Sequence, residues 1–247
     1  DTDDKRIKLL KWLKIEDVWG IGRRLAKRLK AKNVFTAYDY TLPHMEPWIK
    51  KEMGVVGMRI KMELEGIPAI GDGEVPEKKK SIATTRSFPK QLTDYDLIRE
   101  RVSTFATVTA EKLRKQGSCC HVVTVMLVAD KHSIDIPKYH YSRAITLPFA
   151  TNSALTINNA AIQLLKDLMA STNTIKFKKA GVIVTELIPQ EARQFNLFVD
   201  ENPKHLALMK AMDHVNGKMG SRIIRLGAQA KKTWDMKQNM RSPPYTT

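Results

Sequence analysis

Cysteine is nearly missing from this chain: Cys119 and Cys120 are the only two among 247 residues, and they are neighbours. Adjacent cysteines rarely bridge each other, so no disulfide framework holds the fold, and a reducing cytosol is the expected compartment. Cys119-Cys120-His121 lacks the spacing of a metal site, and the six histidines do not pair at ligand spacing. No apolar run is long enough to span a bilayer, and the N-terminus lacks the pattern of a signal peptide. No Walker-type loop occurs. The chain also lacks an initiator Met: it opens abruptly on Asp1-Thr2-Asp3-Asp4 and reads as a fragment of something longer.

Acidic residues are scarce as well. Asp and Glu number 26 against 42 Lys and Arg, a net charge of +16 and a sequence pI near 9.8. The cations are spread along the chain, with 15 in residues 1–66, 10 in 67–120, 8 in 121–200 and 9 in 201–247. A distributed excess favours a long polyanion over one small anionic substrate.

The scarcity of acids is most complete between Val18 and Tyr38, where none occurs. Arg23, Arg24, Lys27, Arg28, Lys30 and Lys32 crowd into that stretch. It begins with Val18-Trp19-Gly20-Ile21-Gly22, a tight Gly-x-Gly turn opening directly into a basic helix. Glycine takes up left-handed angles at little cost and lets the backbone approach a ligand closely. The helix that follows offers unpaired N-terminal amides and the positive end of its dipole. This combination suits a nucleic-acid phosphate, with Gly20, Ile21 and Gly22 presenting amides and Arg23, Arg24 and Lys27 adding charge.

Periodicity predicts an α+β chain. Residues 5–66 read as all-helical, beginning with Ile7, Leu10 and Leu13 on one amphipathic face. Pro68, Gly71, Gly73 and Pro76 mark a linker that runs into Lys78-Lys79-Lys80. Beyond it, Ser81–Phe88 is β-rich. Tyr95–Lys115 is helical, with Ile98, Val102, Phe105 and Leu113 aligned. His121–Ala129 is β-branched and continuously apolar, as a central strand is. Tyr141–Pro148 is a further strand. Ser153–Ala170 is a helix with Ile157, Ala161, Leu164, Leu165 and Leu168 inward, and Ala180–Ile188 is a last strand. The order β-α-β-β-α-β is the split βαβ, ferredoxin-like plan. Its helices cover one sheet face and leave the other free for a partner. After Pro189 the chain reads as a tail with a small helix over 203–216, a short strand over 221–229 and an irregular end.

Isolated acids offer little chemistry. Asp130 and Asp135 fall in a loop between strands and read as turn residues. Asp39 follows the Gly turn at a distance where some DNA glycosylases keep a catalytic Asp. In Thr36-Ala37-Tyr38-Asp39 it reads instead as a helix-start residue.

Five of these pieces resemble one family, the UmuC-type Y-family translesion DNA polymerases, in the right order along nearly the whole chain. Val18-Trp19-Gly20-Ile21-Gly22-Arg23-Arg24 is similar to the helix-hairpin-helix of their thumb. Thr85-Arg86-Ser87-Phe88 resembles the first strand of their little-finger domain, and Lys178-Lys179-Ala180-Gly181-Val182 its last. Gln194-Phe195-Asn196-Leu197-Phe198 is similar to the pentapeptide by which bacterial polymerases dock on the sliding clamp, with Phe195 where Leu is usual. Met212-Asp213, Asn216, Ser242-Pro243 and Tyr245-Thr246-Thr247 resemble the family's tail, with Pro244 where a basic residue is frequent.

The resemblance implies a thumb over residues 1–70, a linker over 71–80, a little finger over 81–190 and a clamp-binding and tail region over 191–247. It implies primer–template DNA as ligand, with Arg86, Lys178 and Lys179 on phosphates from the open sheet. It implies Gln194, Leu197 and Phe198 as the clamp plug. A UmuD-type accessory subunit and a recombinase filament are the further partners it implies, with no residues assigned to either. The family's palm and fingers, with the carboxylates that bind magnesium, have no counterpart here; Ser133-Ile134-Asp135 only superficially resembles the palm's Ser-Ile-Asp-Glu. The fragment is therefore expected to hold no cofactor and to transfer no nucleotide by itself.

Two other classes compete. A stand-alone helix-hairpin-helix accessory protein of repair or recombination accounts for residues 5–66 but not for the split βαβ domain or the Gln194–Phe198 string. An RNA-binding ferredoxin-like sheet calls for aromatics on its central strands, and His121–Ala129 has none.

Overall fold

The structure, a computed structural model, describes residues 2–69, 77–130, 139–172, 175–194, 202–220 and 223–229. They fall into two compact units, Asp1–Glu77 and Lys78–Thr247.

The first unit is helical. Helix α1 spans Asp3–Trp12, α2 Arg23–Lys30, α3 Ala37–Thr41 and α4 Glu46–Leu64, with short 3-10 turns at Ile15–Asp17 and Pro43–Met45. Its core gathers Leu10, Ile15, Val18, Ile21, Ala26, Leu29, Val34, Tyr40 and Ile49. A single antiparallel bridge, Lys14 to Thr36, ties the segment after α1 to the start of α3. The buried Tyr40 hydroxyl donates to the Gly57 carbonyl at 3.1 Å, and burial pushes its pKa up to about 12. That bond reaches α4 just beyond Gly54, whose φ of 60° breaks α4 into two helical stretches.

Asp39 is explained by this packing. Its amide donates to the Thr36 hydroxyl at 3.2 Å, and its carboxylate accepts from the amides of Thr36 and Phe35 at 2.9 and 3.0 Å. This is a full capping box at the start of α3. Burial by itself would raise the carboxyl pKa, but these hydrogen bonds outweigh it and hold it below the usual range. Asp39 is a helix-start residue, as its sequence context indicated.

The second unit has the predicted order β-α-β-β-α-β. Strand β1 spans Ile82–Leu92, α5 Tyr95–Gln116, β2 Ser118–Ala129, β3 His140–Thr151, α6 Ala154–Ala170 and β4 Phe177–Pro189. The sheet order is β1-β4-β2-β3, and every pairing is antiparallel. α5 starts at Asp94, whose carboxylate accepts from the Leu97 amide at 2.8 Å, and stops at Gly117, which takes left-handed angles. Both helices pack on the same sheet face. Ile98, Val102, Phe105 and Leu113 of α5 and Ile157, Ala161, Leu164, Leu165 and Leu168 of α6 are all buried there, as their periodicity predicted.

Strand β2 is central, but only half of its apolar run reaches the core. Val123, Val125, Leu127 and Ala129 are buried, while Val122, Thr124, Met126 and Val128 between them stay half-buried. An antiparallel sheet with helices on one side buries alternate residues only.

Helix α7, Lys204–Met219, follows. Its Met209 and Met212 enter the same core as the sheet and α6. Arg114 of α5 fastens it further, donating to both Asp213 carboxylate oxygens at 2.6 and 2.7 Å and to the Asn152 carbonyl at 2.8 Å. The strand expected over 221–229 is absent from its described part, 223–229, which forms turns. The β-branched Ile223 and Ile224 prompted that reading. The backbone of Ile224 instead bonds through both its groups to the Asn216 side chain, and the Leu226 amide donates to Gln229. Local side-chain partners took up the groups a ladder would have used.

Candidate nucleic-acid interface

Val18 and Ile21 anchor the turn before α2. Both are buried, and the Ile21 amide donates to the Val18 carbonyl at 3.0 Å. This bond closes a four-residue turn whose third residue, Gly20, has φ of 91°, the angle that favours glycine at that place. A Cβ on Gly20 would also come within 2.9 Å of Ile60 Cδ1. The sequence reading gave Ile21 a donor role, but its amide is used within the turn. Its part is to seat the loop. The donors that remain are at the helix start. Gly22 is the N-cap and brings no side chain to the first-turn amides, and no acid stands in that turn.

The six cations of this stretch separate into two groups. Arg28 pairs with Glu52, and Lys30 with Glu16 at 2.8 Å. Arg23, Arg24, Lys27 and Lys32 are exposed and make no ion pair among the described residues. Three of these, Arg23, Arg24 and Lys27, stand on the first two turns of α2, beside the uncapped amides, while Lys32 lies past the end of the helix. Charge and dipole there point the same way.

In the second unit, register decides which cations share a face. Residues directly opposite in antiparallel strands project to the same side. Three cross-strand rows line the side away from the helices: Ala83-Ile183-Thr124-Ala144, Thr85-Gly181-Met126-Ser142 and Ser87-Lys179-Val128-His140. No acid stands on these rows. At their centre Gly181 keeps the surface low, since a Cβ on it would lie 2.3 Å from Thr85 Cγ2. Lys179 sits at one end of these acid-free rows.

Arg86 lies on the other side. It is opposite Ala180, a core residue, and so projects from the helix-covered face at the edge strand β1. There it joins cations the sequence reading missed. Lys112 of α5 donates to the Ala83 carbonyl at 3.1 Å and to the Thr84 hydroxyl at 3.0 Å. Partial burial lowers the Lys112 pKa, and the nearby Lys79 and Arg86 charges lower it further. Gln116 holds the Lys79 backbone in place through two hydrogen bonds, at 3.1 and 3.0 Å. The signal for this cluster was helical phase: Lys112 and Gln116 are four apart on α5, and both turn toward β1.

Lys178 belongs to neither group. β2 pairs Val128 with Lys179 and Ala129 with Phe177, which leaves Lys178 as the extra residue of a bulge. Its ammonium pairs with Asp130 at 3.3 Å. The structure thus brings together Gly22, Arg23, Arg24 and Lys27, and separately Arg86 with Lys79 and Lys112, but it parts Arg86, Lys178 and Lys179 from one another. Of the clamp residues, Gln194 closes the described segment after β4, while Leu197 and Phe198 lie outside the described residues. No group of three His, Cys, Asp or Glu side chains able to hold a metal ion occurs among the described residues. No helix there is long and apolar enough to cross a membrane.

Residues 79–197 match the impB/mucB/samB family C-terminal domain. Over that segment, just under half of its length, the chain is similar to this family's C-terminal domain. It is 35% identical over 248 residues to Protein UmuC of Salmonella typhimurium strain LT2, and 30% identical over 243 residues to Protein SamB of Salmonella typhimurium. These alignments cover 99% and 97% of this chain, but 58% and 56% of those proteins. The chain therefore spans a little over half the length of these relatives. Residues 207–247 match a domain of unknown function, DUF4113. Among solved structures, the insertion ternary complex of Dbh DNA polymerase is a looser likeness, at 16% identity and a TM-score of 0.38 over 76% of this chain and 51% of that one. The motif-based resemblance to UmuC-type proteins is borne out by these family matches. Relatives in this family align beyond the matched domain, across α1 to α4 as well.

Proposed function

We propose that this chain holds the backbone of primer–template DNA for a lesion-bypass polymerase of the UmuC type. In this reading the first unit is the thumb and the second the little finger. The observation that carries it is the start of α2, where uncapped amides and three unpaired cations converge on a rigid turn. In the second unit, Lys179 on the acid-free rows of one sheet face and the cluster of Arg86, Lys79 and Lys112 on the other, at the edge of β1, are further cations that could take phosphates. Contacts of this kind go to phosphates and position DNA without reading its sequence. The sliding clamp, a UmuD-type subunit and a recombinase filament belong to the same proposal as partners of the full polymerase, with Gln194 at the head of the clamp string.

Equilibrium binding to two primer–template duplexes of unrelated sequence tests this. The affinities are expected to agree within about threefold and to fall steeply between 50 and 200 mM salt, by roughly 0.9 in the log–log slope for each phosphate neutralised. A strong preference for one sequence, or affinity indifferent to salt, would refute the proposal.

A further inference from the structure

The turn that seats α2 carries a feature that phosphate binding does not use. Val18 and Ile21 are buried, yet Trp19 between them is 95% exposed. It is the most exposed large apolar side chain among the described residues. Trp is enriched at contact surfaces because its ring gives a large apolar body while the indole N–H keeps a polar partner. Its position is fixed rather than loose. The 18–21 turn is closed by a hydrogen bond, and Gly20, at its third position, takes a left-handed φ of 91°.

The chemistry around it says what would cover it. The side chains that follow in sequence are Arg23, Arg24 and Lys27, exposed and unpaired. A protein partner offering an apolar pocket would have to bury those charges or bring acids to them. A nucleic-acid strand offers both halves of the complement at the right scale. Its phosphates suit the amides and guanidinium groups, and the deoxyribose beside each phosphate presents a compact apolar ring.

We propose that Trp19 packs against the deoxyribose of the nucleotide next to the phosphate held at the start of α2. The inference rests on the DNA-holding reading above and deepens it. The turn then binds in two modes, one electrostatic and salt-sensitive, one apolar and salt-insensitive. Neither depends on base identity. The apolar mode also separates DNA from other polyanions, because a chain of phosphates without sugars gives the ring nothing to cover.

The test compares the whole chain with Trp19→Ala, Trp19→Phe and the double variant Arg23→Ala/Arg24→Ala, each against duplex DNA and against inorganic polyphosphate. Trp19→Ala is expected to weaken duplex binding roughly 10- to 50-fold, from the apolar area a partly covered indole loses. Its salt slope should equal that of the parent chain, its polyphosphate affinity should be unchanged, and Trp19→Phe should recover most of the loss. The arginine variant is expected to weaken binding to both polyanions and to flatten both slopes. If Trp19→Ala binds DNA as the parent does while the arginine variant is impaired, the Trp19 contact is refuted and the DNA-holding turn stands. If Trp19→Ala loses DNA and polyphosphate equally, the indole acts through the turn and the sugar contact is refuted. If neither variant changes anything, the DNA-holding turn itself is refuted, and the Trp19 contact with it.

Discussion

Arg23→Ala/Arg24→Ala is expected to bind duplex DNA roughly 30- to 150-fold more weakly near 0.1 M salt, with the salt slope reduced by about 1.8. The size follows from losing two phosphate contacts of about 1–1.5 kcal/mol each. Both side chains are exposed and make no ion pair among the described residues, so the fold should not register the change. Arg28→Ala gives the contrast. Arg28 stands on the same helix, but it pairs with Glu52 and lies over the Trp48 ring at 5.7 Å. Its loss should cost stability in the first unit and change the slope little. Fluorescence anisotropy over a salt series, beside a melting curve, separates the two patterns. Equal slope changes for both variants would mean that charge count, not placement, governs binding.

Arg114→Ala is expected to destabilise the second unit by about 2–3 kcal/mol and to lower its melting temperature by roughly 5–10 °C. Arg114 is 11% exposed and holds Asp213 bidentately while reaching the Asn152 carbonyl. Truncation leaves the carboxylate of α7 facing a lost partner and the carbonyl without its donor. The figure stays below that for a fully buried pair because Asp213 is 35% exposed and water can reach it. Arg114→Lys keeps the charge but not the fork, and should recover under half of the loss. α7 should open first, since Met209 and Met212 would then be its main remaining hold on the core. Calorimetry and hydrogen exchange along α7 read this out. An unchanged melting curve would show that α7 docks through its methionines alone.

Much of the fold was legible because its signals are local. The apolar spacing of α5 and α6 and the alternation of strands and helices each need only a short window of sequence. So does the Thr36-to-Asp39 capping box. The turn at Gly20 was legible for the same reason: a glycine pair between buried Val18 and Ile21, then cations, is written in consecutive residues. What the sequence hid depends on which residues lie opposite each other. Arg86 and Lys179 both read as sheet cations, and only the register of β1 against β4 puts them on opposite faces. The bulge at Lys178 is invisible in a run of two lysines. Arg28 and Lys30 look like Arg23 and Arg24 until α4 and the 3-10 turn supply Glu52 and Glu16. Asp213, matched in sequence only as part of a tail motif, proved to be an anchor because α5 places Arg114 beside it.

The central claim is that DNA is held at the start of α2, by backbone amides and the cations beside them. Amide chemical shifts of the chain titrated with a short primer–template duplex test it most directly. The account predicts that the amides of Gly22, Arg23, Arg24 and Leu25 move first and farthest in the first unit, with the Trp19 indole N–H moving alongside them. Those of α1 should stay still. If the α2 amides remain unmoved while the duplex is demonstrably bound, the turn is not the grip and the account is wrong.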